Sequence, residues 1–313
     1  MSELLNTRID LSIIIVNYNL AHEVRNCLNS LFVKKKDVNY EVIIIDNNSP
    51  DKGLVEVEKE FKKENIHFYY LKENVGFGQG CNYGFSKATG EYICFLNPDT
   101  LITNAIFLTV INLFESDKSI GIIGPKQKTR NPFFDFSAGF YPNIFFEICN
   151  LFGIGVLVEA FIVFLYTKLK KESILKVDWI LGGAIFISSD LFKMVNGFDK
   201  DYFMFFEEVD LCKRITNKGY KIIYCPELQI HHIGSVSGKK DYALFTRRIY
   251  SSKYIYVSKH YKSFYKFVMK LFLFSQIISQ IIIWFILFPI NNKKSKQKMS
   301  GLFYLVKFNM RIR

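Results

Sequence analysis

The feature that most constrains this chain is a motif repeated four times before residue 100: a short apolar run, then a polar or glycine-rich stretch. LSIIIV (Leu11–Val16) is the first run, β-branched and almost continuously apolar. Runs of that kind form strands buried on both faces, as in parallel sheets. NYNLAHEVRNCLNSLF follows, and its Leu20, Val24, Leu28 and Leu31 share one helical face. YEVIIID (Tyr40–Asp46) is the second strand, and the polar turn NNSPDKG follows it. A helix over Leu54–Lys63 leads to a strand at His67–Leu71, and NVGFGQGCNYGFSKATG (Asn74–Gly90) opens a further helix. EYICFLNPD (Glu91–Asp99) is the fourth strand. This alternation predicts an α/β domain with a mostly parallel central sheet and flanking helices.

Ligands of such sheets bind beyond the carboxyl ends of the strands. Polar residues collect there: Asn17 and Asn19 after the first strand, Asp46 and Asn48 after the second, Asn97 and Asp99 after the fourth. Three clusters at one edge fit a polar ligand better than three unrelated turns. One carboxylate and one amide at Asn97 and Asp99 suit Mg²⁺ or Mn²⁺, with phosphate oxygens completing the shell. NPD is equally a common turn sequence. The glycine-rich stretch is not a dinucleotide fingerprint, because Gly76, Gly78 and Gly80 are followed by Cys81 where the third glycine of GxGxxG would stand. No GKS or GKT is present, which excludes a P-loop.

Two later stretches carry chemistry. FFEEVDLCKR (Phe205–Arg214) places Glu207, Glu208 and Asp210 behind an aromatic run. A carboxylate against such a wall has a raised pKa, useful for a general base. His231 and His232 precede small residues through Ser237, and a neutral imidazole there can complete a metal shell begun by Asp99. A strand is expected at Ala184–Ser188, a helix around Glu207–Lys218 and a strand at Lys221–Cys225.

The charge is unevenly placed. The chain carries +12 overall, yet from Tyr242 to Arg313 there are 14 Lys and Arg and no Asp or Glu. The rest of the chain has 27 basic and 29 acidic residues, so the basicity belongs to the tail. Leu271–Ile290 has 20 residues without a charge, long enough to span a bilayer or to lie in its plane, with Gln276 and Gln280 one turn apart. Residues 144–170 are also apolar, but Glu147 and Glu159 leave only 11 uncharged residues between them, too few to span. The six cysteines form no CxxC pair and read as buried, reduced thiols. Arg8 and Asp10 precede an apolar run of only strand length, which does not read as a signal peptide.

Taken together, IIIVNYN, VIIIDNNSPD, ENVGFGQGCNYGFSKATGEYICFLNPDT, GGAIFISSDLFKMVNGFDKDYFMFFEEVDLCKR and HHIGSVSG resemble the family 2 glycosyltransferases of GT-A fold, and most closely the rhamnosyltransferase-like branch. The resemblance covers roughly residues 11–238 and implies a GT-A catalytic domain over 1–240, with 144–170 as an apolar helical insertion and 241–313 as a membrane-associating helical region. It implies that Asn17, Tyr18, Asn19, Asp46 and Asn48 hold the nucleotide, and that Asn74, Gly76 and Asn97 line the donor site. NPD stands where the family has DxD, so Asp99 would bind metal and diphosphate with His232, while Asn97 replaces the first Asp. Glu208 stands at the catalytic-base position, where Asp is more common. Asp178, Trp179, Gly183 and Glu207 fall at the acceptor site.

The implied activity is inverting transfer of a sugar, with rhamnose a candidate, from a nucleotide-diphosphate donor, with Mg²⁺ or Mn²⁺ as cofactor. The implied acceptor is a glycan or polyprenyl-linked glycan in cell-surface polysaccharide synthesis. The implied place is the anionic cytoplasmic face of the bacterial inner membrane. Nucleic acid is not an expected partner, since the tail interleaves aromatics with aliphatics as membrane helices do. Two rival readings are a sugar-phosphate nucleotidyltransferase, whose glycine-rich signature with Lys or Arg is replaced by VNYN, and a non-catalytic membrane-bound adaptor.

Overall fold

A computed structural model describes residues 9–32, 38–63, 65–102, 106–129, 137–170, 174–232, 241–289 and 292–309. The run after His232 through Ser237, and residues 1–8, lie outside these. Along the chain come β1 (Leu11–Asn17), α1 (Ala21–Phe32), β2 (Tyr40–Asp46), α2 (Gly53–Glu60), β3 (Ile66–Tyr70), α3 (Phe77–Phe85), β4 (Tyr92–Leu96) and β5 (Thr100–Ile102). Then follow α4 (Phe107–Ser116), β6 (Ile120–Lys128), β7 (Ala138–Gly139), α5 (Ile144–Leu151), α6 (Gly155–Lys170), β8 (Leu175–Val177), β9 (Trp179–Ile180), β10 (Ala184–Ser188) and α7 (Ser189–Met194). The chain closes with α8 (Glu207–Asn217), β11 (Lys221–His232), α9 (Tyr242–His260), α10 (Ser263–Ile286) and α11 (Asn292–Asn309).

The chain forms two compact units. The first comprises Met1–Gly139, Lys171–Lys200 and Glu208–Gly234. It holds a sheet in the order β3-β2-β1-β4-β10-β6-β11-β5, with β8 also paired to β11, and a small β7-β9 sheet. β1, β2 and β4 are buried at every residue, as their apolar runs require. Alternate side chains serve opposite faces. Ile13, Ile15, Val42 and Ile44 join Val24, Leu28, Leu54, Val57 and Val110 in one core. Ile14 and Val16 face α3, where Gly84 and Gly80 let the helix backbone approach: a Cβ at Gly84 would come 2.5 Å from Ile14, and one at Gly80 2.9 Å from Val16.

The first half of the sheet is parallel, as expected, with β1 pairing β2 and β4 and β2 pairing β3 in parallel. The second half is mixed: β10 runs antiparallel between β4 and β6, and β5 antiparallel to β11. The strand expected over Glu91–Asp99 stops at Leu96, because Pro98 has no N–H for a ladder. Asn97–Thr100 forms a turn instead, with the Thr100 N–H donating to the Asn97 carbonyl at 3.2 Å. The strand expected over Lys221–Cys225 continues to His232. A register shift between Cys225 and Gln229 accommodates Pro226, as bulges accommodate proline.

The second unit comprises Phe140–Lys170, Asp201–Glu207 and Ser235–Arg313. It is helical, and α10 packs against α5, α9 and α11. The apolar 144–170 segment, an insertion in chain order, therefore groups with the C-terminal helices. Five of the six cysteines are buried and all are free thiols, as composition predicted.

Candidate active site

The strand ends of the first unit bring the predicted residues together in stages. β1 and β2 are in register with Asn17 opposite Asp46. The Asn17 amide donates to Asp46 Oδ1 at 2.7 Å and to Ser49 Oγ at 3.1 Å. Ser49 gives Asp46 two more hydrogen bonds, from its hydroxyl at 2.6 Å and its N–H at 2.9 Å. The Asn19 N–H donates to Ser49 Oγ at 2.9 Å. Asp46, Ser49, Lys52 and Tyr70 line a small open depression at the ends of β2 and β3. Tyr18 is exposed beside this edge.

Asn19 and Asn48 both take the left-handed conformation, with φ of 57° and 58°. Asparagine tolerates that region better than most residues, so part of their identity is explained by the backbone. The Asn19 side-chain oxygen is also buried, and among the described residues it has no hydrogen-bond partner.

The glycine-rich turn is held by Asn47, a residue sequence reasoning passed over. Its amide donates to the Gly76 carbonyl at 3.0 Å, and its side-chain oxygen accepts from the Val75 N–H at 3.0 Å. Asn74 Oδ1 accepts from the Gly76 N–H at 3.0 Å. Gly76 has φ of 84° and caps α3. Glycine is the residue for that conformation, so this turn presents the N-terminus of α3 at the strand-end edge.

The NPD turn meets β11. β5 pairs antiparallel with β11, and His232 lies opposite Thr100. That register sets His232 Nε2 3.1 Å from Asp99 Oδ1, across 133 residues of sequence. Both side chains are largely buried, at 8% exposure for Asp99 and 14% for His232. His231 is exposed, because alternate strand residues point to opposite faces. The donor set suits a divalent cation. The two side chains hydrogen-bond to each other at 3.1 Å, and the same pair of donors would hold one divalent ion. One carboxylate and one imidazole leave coordination positions for phosphate oxygens. Among the described residues no cluster of three His, Cys, Asp or Glu is present, so a protein-only metal cage is not built here.

Asn97 and Gly183 tie this turn to β10. The Asn97 N–H donates to the Gly183 carbonyl at 3.0 Å. Gln127, wholly buried on β6, donates to the Leu181 carbonyl at 2.9 Å. Its side-chain oxygen sits where a Gly183 Cβ would be, 2.3 Å from that position. A larger residue at Gly183 would have to displace the end of the Gln127 side chain. Gln127 gave no signal in the sequence, since a lone polar residue in a strand reads as a surface position.

Helix α8 carries the carboxylates. Asp210 is buried and bound to Arg214 at 2.7 Å, and the guanidinium also donates to the Val195 and Gly197 carbonyls at 2.6 and 2.8 Å. Asp210 is therefore a structural carboxylate. Glu208 is half-buried and Glu207 buried. Burial pushes the Cys212 thiol up to about 12, and the nearby Glu208 and Asp178 carboxylates add to the rise. The two carboxylates thus lie near one sulfur, and Trp179 follows Asp178 on β9. Phe205 and Phe206, just before the helix, hold φ of 69° and 66°. Consecutive bulky residues in the left-handed region are costly, about 1–3 kcal/mol each, and such strain collects at functional sites.

The family model for Glycosyl transferase family 2 matches residues 12–161. Rhamnosyltransferase WbbL of Escherichia coli K12 is 28% identical over 263 residues, covering 79% of this chain and 92% of its own. The dTDP-rhamnosyl transferase RfbF of Shigella flexneri is 26% identical, covering 72% of this chain and 70% of its own. The fold is similar to that of the mannosyltransferase PcManGT from Pyrobaculum calidifontis, solved with GDP-Man and Mn²⁺, with a TM-score of 0.56 and 13% identity over 96% of this chain and 86% of that one. The chain is a glycosyltransferase that carries a family 2 domain over residues 12–161, on a fold of GT-A type.

Proposed function

We propose that this enzyme transfers a sugar, rhamnose, from a nucleotide-diphosphate donor to a hydroxyl of a glycan or polyprenyl-linked glycan acceptor, with inversion. The observation that carries the donor half is the Asp99–His232 contact at the carboxyl edge of the sheet, beside the Asn17–Asp46–Ser49 network. The depression at Asp46, Ser49, Lys52 and Tyr70 takes the nucleoside, with Asn17, Tyr18, Asn19 and Asn48 around it. Asn74, Gly76 and Asn97 line the path to the diphosphate.

Asp99 and His232 would hold Mg²⁺ or Mn²⁺, which when bound supplies positive charge to the departing diphosphate. Glu208 takes the proton from the acceptor hydroxyl. That oxygen bonds to the anomeric carbon as the carbon–diphosphate bond breaks, in one in-line step. Asp178, Trp179, Gly183 and Glu207 orient the acceptor. Rhamnose is favoured by the names of the two relatives. Work at the cytoplasmic membrane surface is favoured by the acid-free basic tail.

The test is release of nucleoside diphosphate from a panel of UDP-, GDP- and dTDP-sugars with a polyprenyl-diphosphate-linked acceptor. The expected result is preferred turnover of dTDP-rhamnose. Preferred turnover of another sugar overturns the donor assignment, and no turnover of any donor overturns the transfer reading.

A further inference from the structure

Helix α10 has two faces of different character. Met269, Leu273, Gln276 and Ile277 are buried against the other helices of its unit. Phe267, Leu271, Phe274, Ile278, Ile282 and Phe285 are exposed. Their spacing of three and four residues lines them along one side of the helix. Phe267 and Phe285 are 64% and 73% exposed, far beyond what a lone surface aromatic explains. Helix α5, which packs on α10, adds exposed Phe145 and Ile148, and Phe152 follows at its end.

Length alone permits α10 to span a bilayer, since 24 residues make a helix of about 36 Å. Its packed face argues otherwise. At mid-helix, Gln276 donates to the Glu147 carboxylate of α5 at 2.5 Å. The same carboxylate, 1% exposed, pairs with Lys253 of α9 at 2.6 Å. A spanning α10 would carry this ion pair to the middle of the hydrocarbon, where charges are costly. It would also carry α9, with Arg247, Arg248, Lys253 and Lys259, because α9 packs on α10. Both ends of α10 are flanked by exposed lysines, Lys262 before it and Lys293 and Lys296 after it.

We propose that α10 lies in the plane of an anionic phospholipid bilayer. Its Phe267–Phe285 face sits among the acyl chains, and Lys262, Lys293 and Lys296 sit at the level of the phosphates. This deepens the membrane-surface reading above and rests on it. The occupant is a lipid surface rather than a second protein, because cations at both ends complement anionic headgroups and no acidic residue follows Asp241.

The test uses the full chain with sedimentable vesicles of equal parts phosphatidylglycerol and phosphatidylethanolamine, and with phosphatidylcholine vesicles. The expected result is binding to the anionic vesicles that falls at least about tenfold in Phe274→Glu/Ile278→Glu, with nucleotide release in solution unchanged. Lys262→Glu/Lys293→Glu is expected to abolish the preference for anionic vesicles. A second measurement does not depend on those variants. With Cys149 replaced by Ser, single cysteines at Lys262 and Asn292 are labelled by an impermeant maleimide in inverted membrane vesicles, where the cytoplasmic face is outward, and in intact spheroplasts.

Labelling of both positions in inverted vesicles, and of neither in spheroplasts, supports an in-plane helix. Labelling of the two ends from opposite sides overturns it in favour of a spanning one. Unchanged vesicle binding by the Phe274/Ile278 variant overturns the assigned face. A change from dimer to monomer in that variant, with vesicle binding kept, assigns the face to a second copy instead. Nucleotide release reports the transfer reading separately: its absence in a chain that docks as described overturns transfer and leaves docking intact.

Discussion

Asn19 and Asn48 illustrate how a residue can look functional for a backbone reason. Both hold a left-handed conformation that glycine adopts freely. Asn19→Gly keeps that conformation and removes the buried side-chain oxygen that has no partner among the described residues. The expected outcome is unchanged thermal stability and nucleoside diphosphate affinity weakened about fivefold to tenfold, the worth of one hydrogen bond, read by calorimetric titration. At Glu208, removing the charge while keeping the shape tests the base. Glu208→Gln is expected to lower kcat by at least about a hundredfold with donor KM little changed, and near-normal turnover would remove Glu208 from the mechanism. Candidate site residues were legible where a polar side chain broke an apolar run, as at Asp46 and Asp99. The histidine pair was legible from the small residues that follow it, and the choice of His232 over His231 came through the resemblance. Asn47 and Gln127 were not legible: one hid among neighbouring turn residues, and the other acts only through its packing on Gly183 and Leu181.

Elements hold these side chains in place through close contacts that can be challenged one at a time. Gly84→Ala puts a methyl 2.5 Å from the Ile14 side chain. Alanine is the better helix former by up to about 1 kcal/mol, yet overpacking a rigid core costs about 1–3 kcal/mol. The expected outcome is net destabilisation, read as a lower denaturation midpoint. Arg214→Ala removes the guanidinium from the 1% exposed Asp210 carboxylate and frees the Val195 and Gly197 carbonyls. A loss of about 3 kcal/mol is expected, with Glu208 displaced on the same helix and kcat reduced as well. The first four strands were legible because β-branched runs and polar ends mark them sharply. The antiparallel β10 was legible as a strand but not in direction, which distant pairing with β4 and β6 decides. The far half of β11 was hidden by Pro226, which reads as a stop unless a bulge absorbs it.

At the scale of the whole molecule, composition separated a balanced catalytic region from a basic tail, but it did not show that 140–170 and the tail form one unit. That grouping depends on Glu147, Lys253 and Gln276, which are far apart in sequence. Lys253→Ala leaves the Glu147 carboxylate buried without its cation, and a loss of about 3 kcal/mol in that unit is expected, seen as a lowered melting transition that nucleotide and metal do not restore. The first unit, by contrast, is expected to gain stability from those ligands by mass action.

Asp99 and His232 are proposed to form a metal-assisted diphosphate site. Titration of dTDP into the wild-type chain, with Mn²⁺ and with EDTA, tests it most directly. Binding at least about tenfold tighter with Mn²⁺, and no such gain in Asp99→Asn or His232→Ala, is the expected result. Equal affinity with and without the ion, or an undiminished gain in both variants, would contradict it.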